Sequence, residues 1–294
     1  MKRISRYRFE GLLLAAPALL LILVFKAYPL IKGVALSLTS SAKGVGVNEF
    51  VGIQNYIRLF NDRVFLGSLV NILKSIIVIP IFVVIPLIIA FIIHQKCTGW
   101  RFFRATYFFP YLLPPVIVGY MFSFILGPYG PVNSIIESIG LEKFAINWFG
   151  DPNIAIFSIF GVILWSWFGL GTIIYLASMG TIPEDLFESA ILDGAKPRQL
   201  LRYITLPHIV PTLGYWAVLI TTSFFIGLFP YIYALTEGGP GYATMMPEYY
   251  VYIVSTKYLD AGYASAIGFV LFLLIFVLAM IQVKFMYTNN MEED

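Results

Sequence analysis

The chain has 294 residues, 59% of them hydrophobic and 12% charged, with a formal net charge of +3. A soluble domain carries about 25% charged residues, so the composition excludes an ordinary water-soluble globule and points to the membrane class. A single cysteine, Cys97, excludes an intrachain disulfide.

A membrane-crossing helix needs about 20 apolar residues. Stretches 11–31, 69–93, 106–126, 153–178, 209–235 and 264–287 satisfy this. The first begins "MKRISRYRFEGLLLAAPALLLILVF", which reads as a signal peptide or as a retained first span. Lys26 and "AYPLIK" follow without a small-x-small cleavage site, which favours the retained span. With the N-terminus inside, the inner segments hold Lys2, Arg3, Arg6, Arg8, Lys96, Arg101, Arg104, Lys196, Arg198, Arg202 and Lys284. The outer loops hold Lys32, Lys43, Arg58, Arg63, Lys143 and Lys257. The inner segments are shorter in total and so denser in basic residues, as the positive-inside rule requires. Both termini are then expected in the cytoplasm.

The middles of these spans carry no charge. Lys26 and Lys74 fall near outer ends, where they can snorkel; Glu10, His94 and His208 fall near inner ends. An ion-coupled carrier normally shows an acid or histidine at mid-depth, apart from sodium sites built from backbone. There is no GxxxxGK[ST] phosphate loop, HExxH or GxSxG. No catalytic residue or metal site is expected, since Cys97 has only His94 near it at ligand spacing.

The polar segment 181–207 interrupts the apolar pattern. Thr181 and Glu184 fit a capping box, and Pro183 suits a first turn. Glu184 and Asp185 complement a helix N-terminus. Leu186 with Ala190, and Phe187 with Ile191, form an apolar stripe. Gly194 is placed to end this helix, and Pro197 to start another with Leu200 and Ile204 as its ridge. A helix of about nine residues is not stable alone in water. Its stripe must pack on the bundle, on a partner or on the inner leaflet, and periodicity does not choose between them.

The spacing Glu188-Ser189-Ala190, Gly194, Ile204, Leu206 and Pro207 resembles the EAA loop of binding-protein-dependent ABC importer permeases. Ser189 departs from the family's first alanine, with another small residue. "LDGA" at 192–195 resembles the carbohydrate branch, as do 17–39, "FVGIQNYIRLF", "FRATYFFPYLLPPVI" and "LTEGGP" at 235–240. These segments resemble the first of the two permeases of maltose and glycerol-3-phosphate type systems. The resemblance implies an all-α membrane domain over 1–294, of the type I importer fold, with its core at about 65–290. It implies a second permease forming a heterodimer, two ATP-binding subunits, an extracytoplasmic binding protein and the lipid bilayer as partners, and no nucleic acid. ATP and magnesium would reside in the ATPase subunits, leaving this chain without a cofactor. The implied place is a prokaryotic plasma membrane and the implied cargo a sugar or oligosaccharide. A polyol, glycerol-3-phosphate, or an ion-coupled carrier are the alternatives.

By the same resemblance the loop couples to an ATPase through Glu184, Asp185, Phe187, Glu188, Ser189, Ala190, Asp193, Gly194, Ala195, Ile204, Leu206 and Pro207. Glu188 is expected as the main charged contact, Phe187 and Ala190 as packing, and Gly194 as the turn. Trp167, Leu170, Phe224, Phe225 and Leu228 align with the substrate path; in membrane helices aromatic residues also serve as packing or interfacial anchors. Gly238, Gly239 and Pro240 are placed either against the binding protein or in a turn-rich return to the membrane.

Overall fold

The computed structural model describes residues 14–40, 49–95 and 99–290. Lys2, Arg3, Arg6, Arg8, Glu10, Lys43, Lys96 and Cys97, used in the charge and cysteine readings above, lie outside them. In chain order the helices are α1 (Leu14–Ser37), α2 (Gln54–Asn61), α3 (Arg63–His94), α4 (Trp100–Leu112), α5 (Pro115–Ile125), α6 (Pro131–Ser138), α7 (Ala155–Met179), α8 (Glu184–Leu192), α9 (Pro197–Ile226), α10 (Phe229–Leu235), α11 (Pro247–Thr256) and α12 (Ala261–Asn290). A short antiparallel ribbon pairs β1 (Thr39–Ser40) with β2 (Glu49–Phe50). Among the described residues five helices are long and apolar enough to cross a membrane: α1, α3, α7, α9 and α12. The pair α4–α5 makes a sixth if it is counted as one span.

The chain divides into two compact units, Met1–Asp62 with Val251–Leu273, and Arg63–Tyr250 with Leu274–Asp294. In the first, α2 is tied to the end of α1 and the start of α12 by polar contacts. The buried Asn55 side chain donates to the Ser37 and Thr39 carbonyls, both at 2.8 Å. Arg58 pairs with Asp260 at 2.7 Å and lies 3.9 Å over the Tyr263 ring. The Tyr263 hydroxyl donates to Asp62 at 2.6 Å.

The second unit is built around α3, α7 and α9. Prolines shape it. Pro86 sits inside α3 and lacks the N–H that would bond the Phe82 carbonyl one turn back. An unpaired carbonyl in an apolar interior costs free energy. The Trp216 indole from α9 donates to that carbonyl at 3.0 Å. The proline therefore creates an acceptor, and the fold uses it to fix α9 against α3. Trp216 is fully buried, in the space opened beside Gly171.

The third span, expected at 106–126, is broken. Its two halves, Ala105–Leu112 and Pro115–Ile125, meet at 101°. Pro114 disfavours helical backbone at Leu113, and Pro115 does the same to Pro114. Both residues are extended, with ψ of 135° and 130°.

The fifth span is displaced from 209–235: its helix runs from Pro197 to Ile226, and Phe229–Leu235 is a separate helix. A helix continues through Pro207 because Leu200–Thr205 widens into a π turn just before it. The first span is helical to Ser37 rather than ending at 31. The remaining spans lie within six residues of their expected bounds.

Candidate functional site

The expected capping box at Thr181 is absent. The Thr181 hydroxyl donates backwards to the Ser178 carbonyl at 2.8 Å, closing the end of α7. Pro183 stands at the N-cap of α8 with no side-chain cap bond. Glu184 and Asp185 occupy the first turn of the helix, where negative charge offsets its positive end.

Phe187 is the one buried side chain of α8. Phe187 is 7% exposed, and its ring lies 5.3 Å from that of His94, at the end of α3. Its neighbours include Ile93, Leu176 and Ile182, around a cavity of about 430 Å³. Glu184 and Glu188 also line that cavity. Phe187 thus packs inward, against the ends of α3 and α7. The exposed part of α8 carries Asp185, Leu186, Glu188, Ser189, Ile191 and Leu192. Leu192 is 88% exposed, a large apolar side chain standing beside an acidic face.

Gly194 has φ of +82°, and a side chain there would meet nothing within 4 Å. It is a left-handed stop set by backbone alone. The Gly194 and Ala195 N–H groups close the helix onto the Ile191 and Ala190 carbonyls. Pro197 then opens α9. The Gln199 side chain accepts the Lys196 N–H at 2.7 Å, so the N-cap residue's own donor is satisfied from the third helical position. Asp193 and Pro207 are exposed; Ala190, Ala195, Ile204 and Leu206 are half-buried.

Further along the same helices, in the middle of α3 and α7, lies an aromatic cluster. Phe224 sits edge-on to Phe82 at 5.2 Å, Phe160 at 5.3 Å and Trp167 at 6.3 Å. The Trp167 indole donates to the Tyr231 hydroxyl at 3.1 Å, and Tyr231 donates to Ser166 at 2.9 Å. Phe224 and Leu228 are buried in the core, whereas Trp167, Leu170 and Phe225 are half-buried. Only these last three retain surface for a passing molecule.

Beyond α10, Gly238 is buried against Met245, and Gly239 and Pro240 are half-buried. The exposed tip is Gly241–Tyr242. The Asn71 side chain holds this loop by donating to the Ala243 and Met245 carbonyls at 3.0 and 2.9 Å. Lys74 in turn donates to Asn71 at 3.1 Å. Its ammonium reaches one turn back toward the start of α3. Glu248, in the first turn of α11, is held by the N–H groups of Leu228 and Phe229. Burial outweighs these bonds and pushes its carboxyl up to about 8, so it is mostly protonated at neutral pH.

Asn71, His94, Trp216 and Glu248 were not singled out for these roles from the sequence. Pro86 did carry a signal: a proline inside a span demands a donor for the carbonyl four residues back. Among the described residues, no group of three or more His, Cys, Asp or Glu is placed to hold a metal ion.

Apolar helices of spanning length, a broken span, and a short helix resting on the span ends define a multi-pass permease subunit. Residues 72–286 match the family described as the inner membrane component of binding-protein-dependent transport systems, and the chain belongs to that family. It is 33% identical over 284 residues to the probable ABC transporter permease protein YurN of Bacillus subtilis (strain 168), covering 95% of this chain and 97% of that one. It is 30% identical to the lactose transport system permease protein LacF of Rhizobium radiobacter, covering 94% and 93%. Among solved structures it resembles a chain of a bacterial alginate ABC transporter in complex with an alginate pentasaccharide-bound periplasmic protein. The TM-score is 0.79, with 25% identity and coverage of 97% and 94%.

Proposed function

We propose that this chain is one permease of an ATP-driven importer, carrying a sugar or oligosaccharide delivered by an extracytoplasmic binding protein. It pairs with a second, different permease. It draws its power from two ATPase subunits, which bind ATP and magnesium. Both termini lie in the cytoplasm, on the side of the 181–207 loop.

The observation that carries this reading is the seat of α8. Phe187 fixes a short helix to the ends of α3 and α7, while Asp185, Glu188 and Leu192 stay exposed. A push on that exposed face is passed to two spans through a packed ring rather than through a flexible linker. The lactose permease and alginate importer likenesses support a carbohydrate as cargo. Trp167, Leu170 and Phe225 then offer ring and aliphatic surface to sugar C–H faces, with Phe224 and Leu228 supporting them from behind. The 238–240 segment sets the loop's shape, and its Gly241–Tyr242 tip faces the binding protein.

The test is Glu188→Lys in the purified complex. Charge reversal on the exposed face of α8 should abolish binding-protein-stimulated ATPase and uptake while the subunit still inserts. Wild-type uptake and stimulation in an assembled complex would refute the assignment.

A further inference from the structure

The sequence around α2 presents three stripes at helical spacing. Asn55, Leu59 and Asp62 form one, and it faces the chain: Asn55 and Leu59 are buried and Asp62 is half-buried. Ile53, Ile57 and Phe60 form the second, at 66, 56 and 69% exposure, with Phe50 beside them at 78%. Gln54, Arg58 and Asn61 form the third, also exposed. At 3.6 residues per turn the apolar and polar stripes point about 100° apart.

The contacts of α2 fix its depth. Asn55 bonds the Ser37 and Thr39 carbonyls, and the Tyr56 and Ser37 hydroxyls lie 2.6 Å apart, at the last residue of α1. Arg58 and Asp62 bond Asp260 and Tyr263, where α12 begins. Two apolar spans therefore emerge beside α2. The most apolar 18-residue window of α1 has none of its residues buried inside the chain, so its surroundings must themselves be apolar.

We infer that α2 is an interfacial helix that lies in the surface of the bilayer, with Ile53, Ile57 and Phe60 sunk among the acyl chains and Gln54, Asn61 and the exposed half of Arg58 turned to the headgroups and water. This layering, with protein on the third side, is what the membrane–water boundary asks of an amphipathic helix. A protein partner fits less well. Four apolar side chains fall well short of the roughly 800 Å² that each partner contributes to a standard interface. The ties of Asn55, Arg58 and Asp62 then hold the ends of α1 and α12 at a fixed depth, as a float would.

The experiment uses the assembled complex in vesicles of phosphatidylethanolamine and phosphatidylglycerol, with Cys97→Ser removing the native thiol. A nitroxide is attached at Ile57→Cys, and in a second protein at Gln54→Cys. Collisions with oxygen, which partitions into lipid, are compared with collisions with a water-soluble nickel chelate. The oxygen-to-nickel ratio should be several-fold higher at position 57 than at 54. Phe60→Cys should repeat the result at 57 and serves in its place if that variant does not assemble. Equal ratios at 54 and 57, with free access to nickel, would overturn the inference by placing the stripe in water. A label at 57 shielded from both reagents would overturn it by placing a protein surface there.

Discussion

Gly194 separates backbone strain from steric contact. Its φ of +82° is a region that costs an L-residue about 1–2 kcal/mol. Nothing lies within 4 Å of where a Cβ would stand, so alanine adds this strain and no clash. Gly194→Ala should destabilise the turn by about 1 kcal/mol, which is less than a tenfold change in its equilibrium. Gly194→Asn should cost less, because its short polar side chain tolerates this conformation. Gly194→Val should cost more, since β-branching stiffens the residue against it. The expected order of uptake in reconstituted vesicles is Gly, Asn, Ala, Val, with stimulated ATPase falling less steeply than uptake. The readout is initial uptake rate per ATP hydrolysed. Equal loss in all three variants would refute the strain argument, because it would require a neighbour the free space does not contain. Wild-type coupling in Gly194→Val would refute the turn itself.

Other expectations follow from single contacts. Phe187→Ala should detach α8 from the ends of α3 and α7, at a cost of up to about 3–5 kcal/mol where the cavity stays unfilled. Uptake should collapse while the inserted amount holds, and unchanged uptake would remove Phe187 as the anchor. Trp216→Phe leaves the Phe82 carbonyl without its donor, at about 1–3 kcal/mol, and should lower the melting temperature in detergent; an unchanged value would show that the bond carries no weight. The Glu248 carboxyl is raised in the fold, so the folded chain holds more protons than the unfolded one between about 4.5 and 8. Stability contributed by this group is full below that window and is lost as pH rises through it, by at most about 5 kcal/mol. Glu248→Gln should flatten the melting temperature across that window, and an identical slope in both proteins would exclude Glu248 as its source. Phe225→Ala should alter uptake while leaving basal ATPase intact, and unchanged uptake kinetics would take it off the path.

Span positions were legible because an apolar run of the required length is read by counting. The elbow at Leu113–Pro114 was not, because "FPYLLPPVI" stays apolar throughout and hydropathy is blind to backbone angle. The loop's stop at Gly194 was legible from residue type. Its start was not: a threonine hydroxyl can accept an N–H three residues ahead or donate to a carbonyl three residues back, and that of Thr181 donates to Ser178. Periodicity put Phe187 on a stripe but could not say which surface the stripe meets. Phe224 and Trp167 are both aromatics on adjacent helices, and sequence gives no measure of which one is sealed behind the other. The triple stripe of α2 was present in the residues, but eight residues are too few to mark their surroundings without the ties from Asn55 and Arg58.

The elbow between α4 and α5 has a consequence for how the chain is made. Extended backbone at membrane depth is tolerated only where protein covers it. α10 packs on α5 just past the elbow, where Gly119 stands so close to Ala234 that no side chain would fit between them. Ala234 is synthesised more than a hundred residues after the bend. During biogenesis α5 therefore waits, unsheltered, for the helix it packs on, and a ribosome stalled before residue 229 should leave a nascent chain that membrane quality-control proteases recognise.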